Sequence, residues 1–196
     1  YMLALTKSFR TKRPENLIQW EQDFFRIRAK LENKTRNETP NEETMEHCIT
    51  KNPKKQKAFR KNNVMIPREK FLGNLLAVMF RPEDLAMLTG EPALRRQYLN
   101  NIFIQTDPQG LATIQEYHHA LIQRNALLKS KNISTIKLWN TKLSEAGEKI
   151  QKFRIKLIEF FTENFTKKLN NLKNDLQSDV SYQIMYTPKI PLQTAL

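Results

Sequence analysis

PEDLAMLTGEPALRRQYLN, residues 82 to 100, holds a helix start, a helix stop and a second helix start in one short stretch. Pro82 opens a helix at no hydrogen-bonding cost, because an N–H at the first helical position has no intrahelical partner. Glu83 and Asp84 then sit at the positive end of the helix dipole. Gly90 is expected to take the left-handed conformation that closes this short helix, and Pro92 to open a second with Leu94, Tyr98, Leu99 and Ile102 as its buried stripe. Arg95 and Arg96 fall near the start of that second helix, where cations oppose the dipole, which implies a partner for them. The chain before this stretch reads as strands and the chain after it as helices.

Immediately upstream, Leu75, Leu76, Ala77, Val78, Met79 and Phe80 form a continuous apolar run stopped by Arg81 and Pro82, the pattern of a strand buried on both faces. Further back, Phe25, Ile27, Ala29 and Leu31 alternate with Arg26, Arg28, Lys30 and Glu32, which predicts a half-buried strand with one charged face. Met45, His47 and Ile49 alternate more weakly. Lys51, Lys54, Lys55, Lys57, Arg60 and Lys61 follow with little apolar content, so the region reads as a twisted antiparallel hairpin or three-stranded sheet with a basic tip. The cations fit either a solvated edge strand, which lysines protect from pairing, or a phosphate-contacting surface. Tyr1 to Leu5 read as the last turn of a buried helix, and Leu17 to Trp20 as a strand start or short turn. Between them Thr6 to Arg13 form a loop closed by Pro14, whose hydroxyls and cations suit phosphate oxygens and equally an ordinary polar helix exit.

Downstream, Asp107 caps a helix with Pro108 at its first position, and Leu111, Ile114, His118, Leu121, Asn125 and Leu128 keep helical spacing to about Lys131. Ser134 or Thr135 caps the last helix. Its stripe runs through Trp139, Leu143, Ala146, Ile150, Phe153, Leu157, Phe160, Asn164, Leu169, Leu172 and Leu176, about 60 Å if unbroken. That length predicts an arm, kinked near Gly147 and packed antiparallel on the preceding helix. Val180, Tyr182, Ile184 and Tyr186 alternate again as a strand. The fold class is therefore α+β: a sheet lobe over 1–81, a helical lobe over 82–178 and a returning strand in 179–196.

The 196 residues carry 33 Lys plus Arg against 20 Asp plus Glu, a formal charge of +13 and a pI near 9.9. Such a surplus points to a polyanionic partner, nucleic acid ahead of a membrane surface, since no amphipathic anchor stands out. No apolar run is long enough to span a bilayer, and no secretory signal opens the chain, so a cytoplasmic location is expected. Cys48 is the single cysteine, read as a half-buried strand residue in a reducing compartment. The opening YMLALTKSFRT reads as the end of a helix already under way, hence an N-terminally truncated chain. His47, His118 and His119 stand in no metal-ligand or triad spacing, and His118 reads as a core or interface histidine. None of the four glycines belongs to a phosphate-binding loop. No catalytic residue and no metal site is assigned.

The spacing of Pro82, Glu83, Asp84, Leu85, Gly90, Pro92, Arg95, Arg96, Tyr98, Leu99 and Asn100 closely resembles the signature of the RecF family, bacterial DNA replication and repair proteins of the SMC-like branch of the ABC ATPases. Asn100 stands where the family more often has Asp. GNLLAVMF before the signature, YHHALIQRNALLKSK after it, KSFRT near the start and the Trp139, Leu143, Ala146, Gly147 pattern extend the resemblance through essentially the whole chain.

The resemblance implies an ABC-ATPase-like sheet lobe, here partial, followed by a helical lobe. It implies a protein that binds ATP with Mg2+, dimerises across ATP, hydrolyses it slowly, binds DNA at junctions of single and double strand, and helps to load recombinase with RecO and RecR, in DNA recombination and the SOS response. The family's Walker A loop, ABC signature and Walker B carboxylates have no counterpart in these residues, so the chain alone is expected neither to hydrolyse ATP nor to hold it tightly. By position in the family, Lys7, Ser8, Arg10, Thr11, Glu83 and Asp84 are nucleotide-proximal, although helix capping serves equally well for the two carboxylates. Lys54, Lys55, Lys57, Arg60 and Lys61 are candidates for the DNA backbone. Arg95, Arg96, Tyr98, Arg124 and Asn125 are candidates for a contact between lobes or subunits, one arginine through a structural ion pair. A reading of a different class stays open beside these: an ATP-independent basic helical scaffold that binds nucleic acid or protein.

Overall fold

The computed structural model describes residues 1–33, 41–131 and 134–176. The chain divides into two compact units, 1–111 and 112–196. In the first, β1 (Phe24–Asn33), β2 (Asn41–Thr50), β3 (Gln56–Lys61) and β4 (Val64–Met65) form a four-stranded sheet in sequential order. Every pairing is antiparallel. The register sets Ile27 opposite His47 and His47 opposite Phe59, so the apolar positions of three strands share one face. Leu3 of α1 (Met2–Leu5) and Phe71 of α2 (Arg68–Phe71) complete a core with Met45 and Phe59, against which Ile27, Ala29, Leu31, Ile66 and Leu75 pack. The Phe59 and Phe71 rings lie 5.1 Å apart. Burying a side chain of this size contributes up to about 3 kcal/mol. The expected half-buried strands are thus present, and Cys48 is indeed a half-buried strand thiol.

Leu75–Phe80 is not a strand buried on both faces: it pairs with no strand among the described residues. Leu75 packs against the core and Ala77 N–H donates to Gln105 Oε1 at 3.0 Å, whereas Leu76, Val78 and Phe80 are exposed. An apolar run signals burial on both faces only where both faces have a neighbour, and here only one does.

The signature stretch follows as a 3-10 turn, Pro82–Leu85, then α3 (Ala86–Thr89) and α4 (Pro92–Thr106). Gly90 has φ −88°, not the left-handed conformation expected of it. Glycine is required there for space, since a Cβ would lie 2.4 Å from the Ala86 carbonyl oxygen. The buried residues of α4 are Phe103 and Ile104; Leu94 and Tyr98 are exposed and Leu99 and Ile102 half-buried. The helix buries its C-terminal half most deeply, so the stripe expected from its start is only partly covered within this unit.

From Gly110 the chain continues as α5 (Gly110–Lys129) and then α6 (Ile136–Leu176). The α5 stripe is corrected to Thr113, Ile114 and Ala120, with Leu111 at the unit boundary; His118, Asn125 and Leu128 are exposed, so His118 is no core histidine. The α6 core positions Leu143, Ala146 and Ile150 are buried as expected, and the helix is continuous through Gly147. His119 meets Trp139 at 5.3 Å between rings and Arg124 Nε donates to Asn140 Oδ1 at 2.8 Å, so α5 packs on the first turns of α6. The strand expected at Val180 to Tyr186 lies outside the described residues.

Candidate nucleic-acid interface

The β2–β3 hairpin carries the basic cluster, and its turn is strapped to the loop ahead of β1. Lys51 N–H donates to the Asp23 carbonyl and Asn52 Nδ2 to Asp23 Oδ1, both at 2.7 Å. Lys55 Nζ pairs with Glu15 at 2.9 Å on the 3-10 turn Pro14–Leu17, after which the chain makes a second turn at Gln19–Gln22, the turn alternative expected near Leu17 to Trp20. Arg60 reaches across the strands to Glu46, and Lys61 pairs with Glu43 at 2.9 Å while donating to Asn74 Oδ1. Lys54 and Lys57 make no ion pair with any described residue. Three of the five cations named for DNA are therefore held by carboxylates of the sheet lobe itself, and two have no ion pair among the described residues.

Lys57 shares its sheet face with Phe59 and approaches the end of α1. There Arg68 Nε donates to Thr6 Oγ1 at 2.7 Å. Burial first, then the Arg68 and Lys57 charges, lower the Lys7 pKa. Burial likewise lowers that of Arg68, against the charge of Glu69. Lys7, Lys57 and Arg68 thus form a cationic corner with no ion pair among the described residues. Arg68 carried no signal in the sequence, because only the packing of α2 against α1 and β3 brings it there.

Next along the chain, the Ser8 hydroxyl accepts from the Arg10 and Thr11 N–H groups at 3.1 and 3.3 Å, and Thr11 Oγ1 accepts from the Arg13 N–H at 3.1 Å. Both hydroxyls therefore shape the loop, while Arg10 is exposed and Lys7 is partly covered beside Arg68 and Lys57. Phe9 links this loop to the signature stretch. Its ring packs edge-on to Tyr1 at 6.0 Å, with the guanidinium groups of Arg10 and Arg81 at 6.0 and 5.8 Å. Arg81 in turn binds Asp84 Oδ1 at 2.6 Å, and Asp84 Oδ2 accepts the Arg81 backbone N–H at 3.0 Å. The Arg81 hydrogen bond is the main reason the Asp84 carboxyl titrates below its ordinary value. Asp84 is engaged as a cap and Glu83 is exposed. The fold thus brings the Lys7–Thr11 loop and the start of the signature stretch together through Phe9 and Arg81, neither of which the sequence singled out as a site residue.

The Arg95 and Arg96 pair resolves differently from the ion pair expected. Arg95 Nη1 donates to the carbonyls of Met87 and Gly90 at 2.9 and 3.1 Å, closing the C-terminal end of α3, where a cation is favoured. Arg96 and Tyr98 are exposed on α4, and on α5 Asn125 is exposed while Arg124 is held by Asn140.

Burial raises the Cys48 pKa, helped by Glu46, so the thiol stays protonated. Among the described residues no cluster of His, Cys, Asp and Glu could hold a metal ion, and no helix is long and apolar enough to cross a membrane.

An antiparallel sheet lobe leading into long helices makes this an α+β chain of ABC-ATPase-like fold. No family model matches the chain. Curated DNA replication and repair proteins RecF of Bacillus cereus and Bacillus anthracis are 33% identical over 169 residues, 83% of this chain and 43% of theirs. Two solved structures of the recombination mediator protein RecF in the RecFOR pathway, with ATPrS and with ATP, superpose with TM-scores of 0.78 and 0.74 at 25% identity, over 88% of this chain. In sequence and in fold the chain is similar to RecF proteins. It spans less than half the length of these relatives.

Proposed function

We propose that the protein acts in DNA repair as a RecF-type, ATP-dependent DNA-binding protein, with the β2–β3 hairpin touching the phosphate backbone. The observation that carries this reading is that Lys54 and Lys57 stand free of ion pairs with described residues on a hairpin where Lys55, Arg60 and Lys61 are matched by carboxylates. Unmatched lysines on a chain of charge +13 suit a polyanion bound without sequence readout. Lys7 and Arg10 face the nucleotide in this reading, with Arg81 and Asp84 holding Phe9 and its loop in place. In this reading the protein works in the cytoplasm as an ATP- and Mg2+-dependent homodimer that helps to load recombinase at junctions of single and double strand, and the place of the solved RecF structures in a RecFOR pathway supports partners of the RecO and RecR kind.

The test is charge reversal in the full-length protein. Lys54→Glu with Lys57→Glu is expected to weaken duplex binding and to reduce the slope of log affinity against log salt by about 2, close to one unit per lost phosphate contact. An unchanged slope rejects the hairpin as the DNA surface and favours an ATP-independent scaffold.

A further inference from the structure

We propose that Trp20, projecting beside the basic β2–β3 turn, is a stacking platform for an unpaired base, so that this surface takes single-stranded nucleic acid. The inference rests on the hairpin being the DNA surface and adds to it a residue and a ligand form. Trp20 is 94% exposed. A ring of this size in water forgoes one of the largest burial energies a side chain has, and Trp is a residue type that carries contact energy at interfaces.

Its position is built rather than loose. The Gln22 N–H donates to the Gln19 carbonyl at 3.1 Å, closing a turn with Trp20 and Glu21 in its middle. Glu21 adopts φ 65°, a left-handed conformation that a non-glycine residue takes at a cost. On either side the chain is tied to the hairpin, through Glu15 to Lys55 and through Asp23 to Lys51 and Asn52. Trp20 is therefore held between two anchors on the same basic turn.

The surroundings match a nucleic-acid strand. Phe24, half exposed, pairs with Thr50 at the same end of the sheet and carries the Arg26 guanidinium 6.0 Å from its ring, offering a second π-surface already associated with a cation. Lys51 and Lys54 are exposed on the turn. Of the nearby carboxylates, Glu15 is engaged by Lys55 and Asp23 by Asn52, which leaves Glu21 against the cations. Aromatic faces among cations on a backbone-tracking surface are how proteins hold unpaired strands, because every base has a π-face and duplex bases do not present theirs. A protein groove would call for apolar area around the ring, and the turn offers lysines.

The experiment compares a fluorescently labelled oligo-dT with a duplex on the full-length protein. Trp20→Ala is expected to weaken oligo-dT binding about tenfold or more and to leave duplex binding and its salt slope unchanged. Trp20→Phe, which keeps a ring, is expected to retain most of the affinity. The proposal is overturned if Trp20→Ala binds oligo-dT as the parent does, or if it loses single-strand and duplex affinity in equal proportion. The lysine reversals at 54 and 57 separate this from the reading beneath it. If they weaken both DNA forms while Trp20→Ala weakens neither, the stacking platform fails alone; if they weaken neither, the hairpin surface fails with it.

Discussion

At Asp84 one carboxylate does two structural tasks, accepting the Arg81 backbone N–H and binding its guanidinium. Asp84→Ala removes both, and a loss of about 1 kcal/mol in denaturant unfolding is expected, the ordinary worth of such a cap. Because the same guanidinium rests on Phe9, the variant is also expected to loosen the Ser8–Arg10 loop, seen as faster amide exchange there. His47 makes a separate prediction. It is fully buried, stacked on Phe59 at 4.6 Å, with Nδ1 3.4 Å from the Met2 carbonyl oxygen. Burial drives its pKa from 6.5 down to about 4, the Met2 carbonyl opposing and the Lys57 and Arg68 charges adding to the fall. Between those two pH values the unfolded chain binds a proton that the folded one refuses, so the contribution is complete above about 6.5 and is lost as pH falls toward 4. On the order of 2 kcal/mol of stability should disappear over that window. His47→Leu is expected to flatten the urea-midpoint profile between pH 7 and pH 4.5; parallel profiles for the two proteins would show that His47 is not the titrating group. The capping role of Asp84 was legible from these residues, whereas its pairing with the Arg81 guanidinium and the burial of His47 were not. The sequence places Asp84 in the first turn of a helix, but the Arg81 pairing needs the bend before Pro82, and the burial of His47 depends on two strands and α1 meeting over it.

Elements were legible where one periodicity acts on one neighbour. β1 is read from Phe25, Ile27, Ala29 and Leu31 because a single sheet face packs against a single core, and the burial of Leu143, Ala146 and Ile150 on α6 follows for the same reason. The helices α4 and α5 were legible as helices, but the strand expected at Leu75–Phe80 and parts of the α4 and α5 stripes were misread because composition reports what a segment could bury, not which neighbour reaches it. The signature stretch shows the distinction at Gly90. Its glycine was expected for dihedral freedom, whereas the structure uses it for close approach to Ala86. Gly90→Ala is expected to break the α3 terminus, costing more than about 1 kcal/mol through backbone overlap that no rotamer relieves. Amide exchange at Gly90 itself, whose N–H donates to Ala86 O at 2.7 Å, should report the opening. Unaltered protection at position 90 would mean that the chain can shift without cost.

For the whole molecule the charge and the RecF likeness point the same way, toward a phosphate-rich partner. Arg10, exposed beside Phe9 and assigned here to the nucleotide, carries the prediction at this scale. In the full-length protein Arg10→Ala is expected to reduce ATP-dependent self-association severalfold in sedimentation, with helical circular dichroism unchanged. A fall in thermal stability with normal ATP response would instead make Arg10 a structural residue. The sequence by itself determined the α+β class, the half-buried strands, the long final helix and the RecF resemblance, because each is written in local periodicity or in residues at fixed spacing. Only the tertiary structure decided which cations are free. Arg60 and Lys61 are matched by Glu46 and Glu43 across strands, Arg95 by carbonyls of the preceding helix, and Arg68 is carried to Lys7 and Lys57. The availability of a charge depends on what stands within a few ångströms of it, and strand register and helix docking bring those neighbours together from distant parts of the chain.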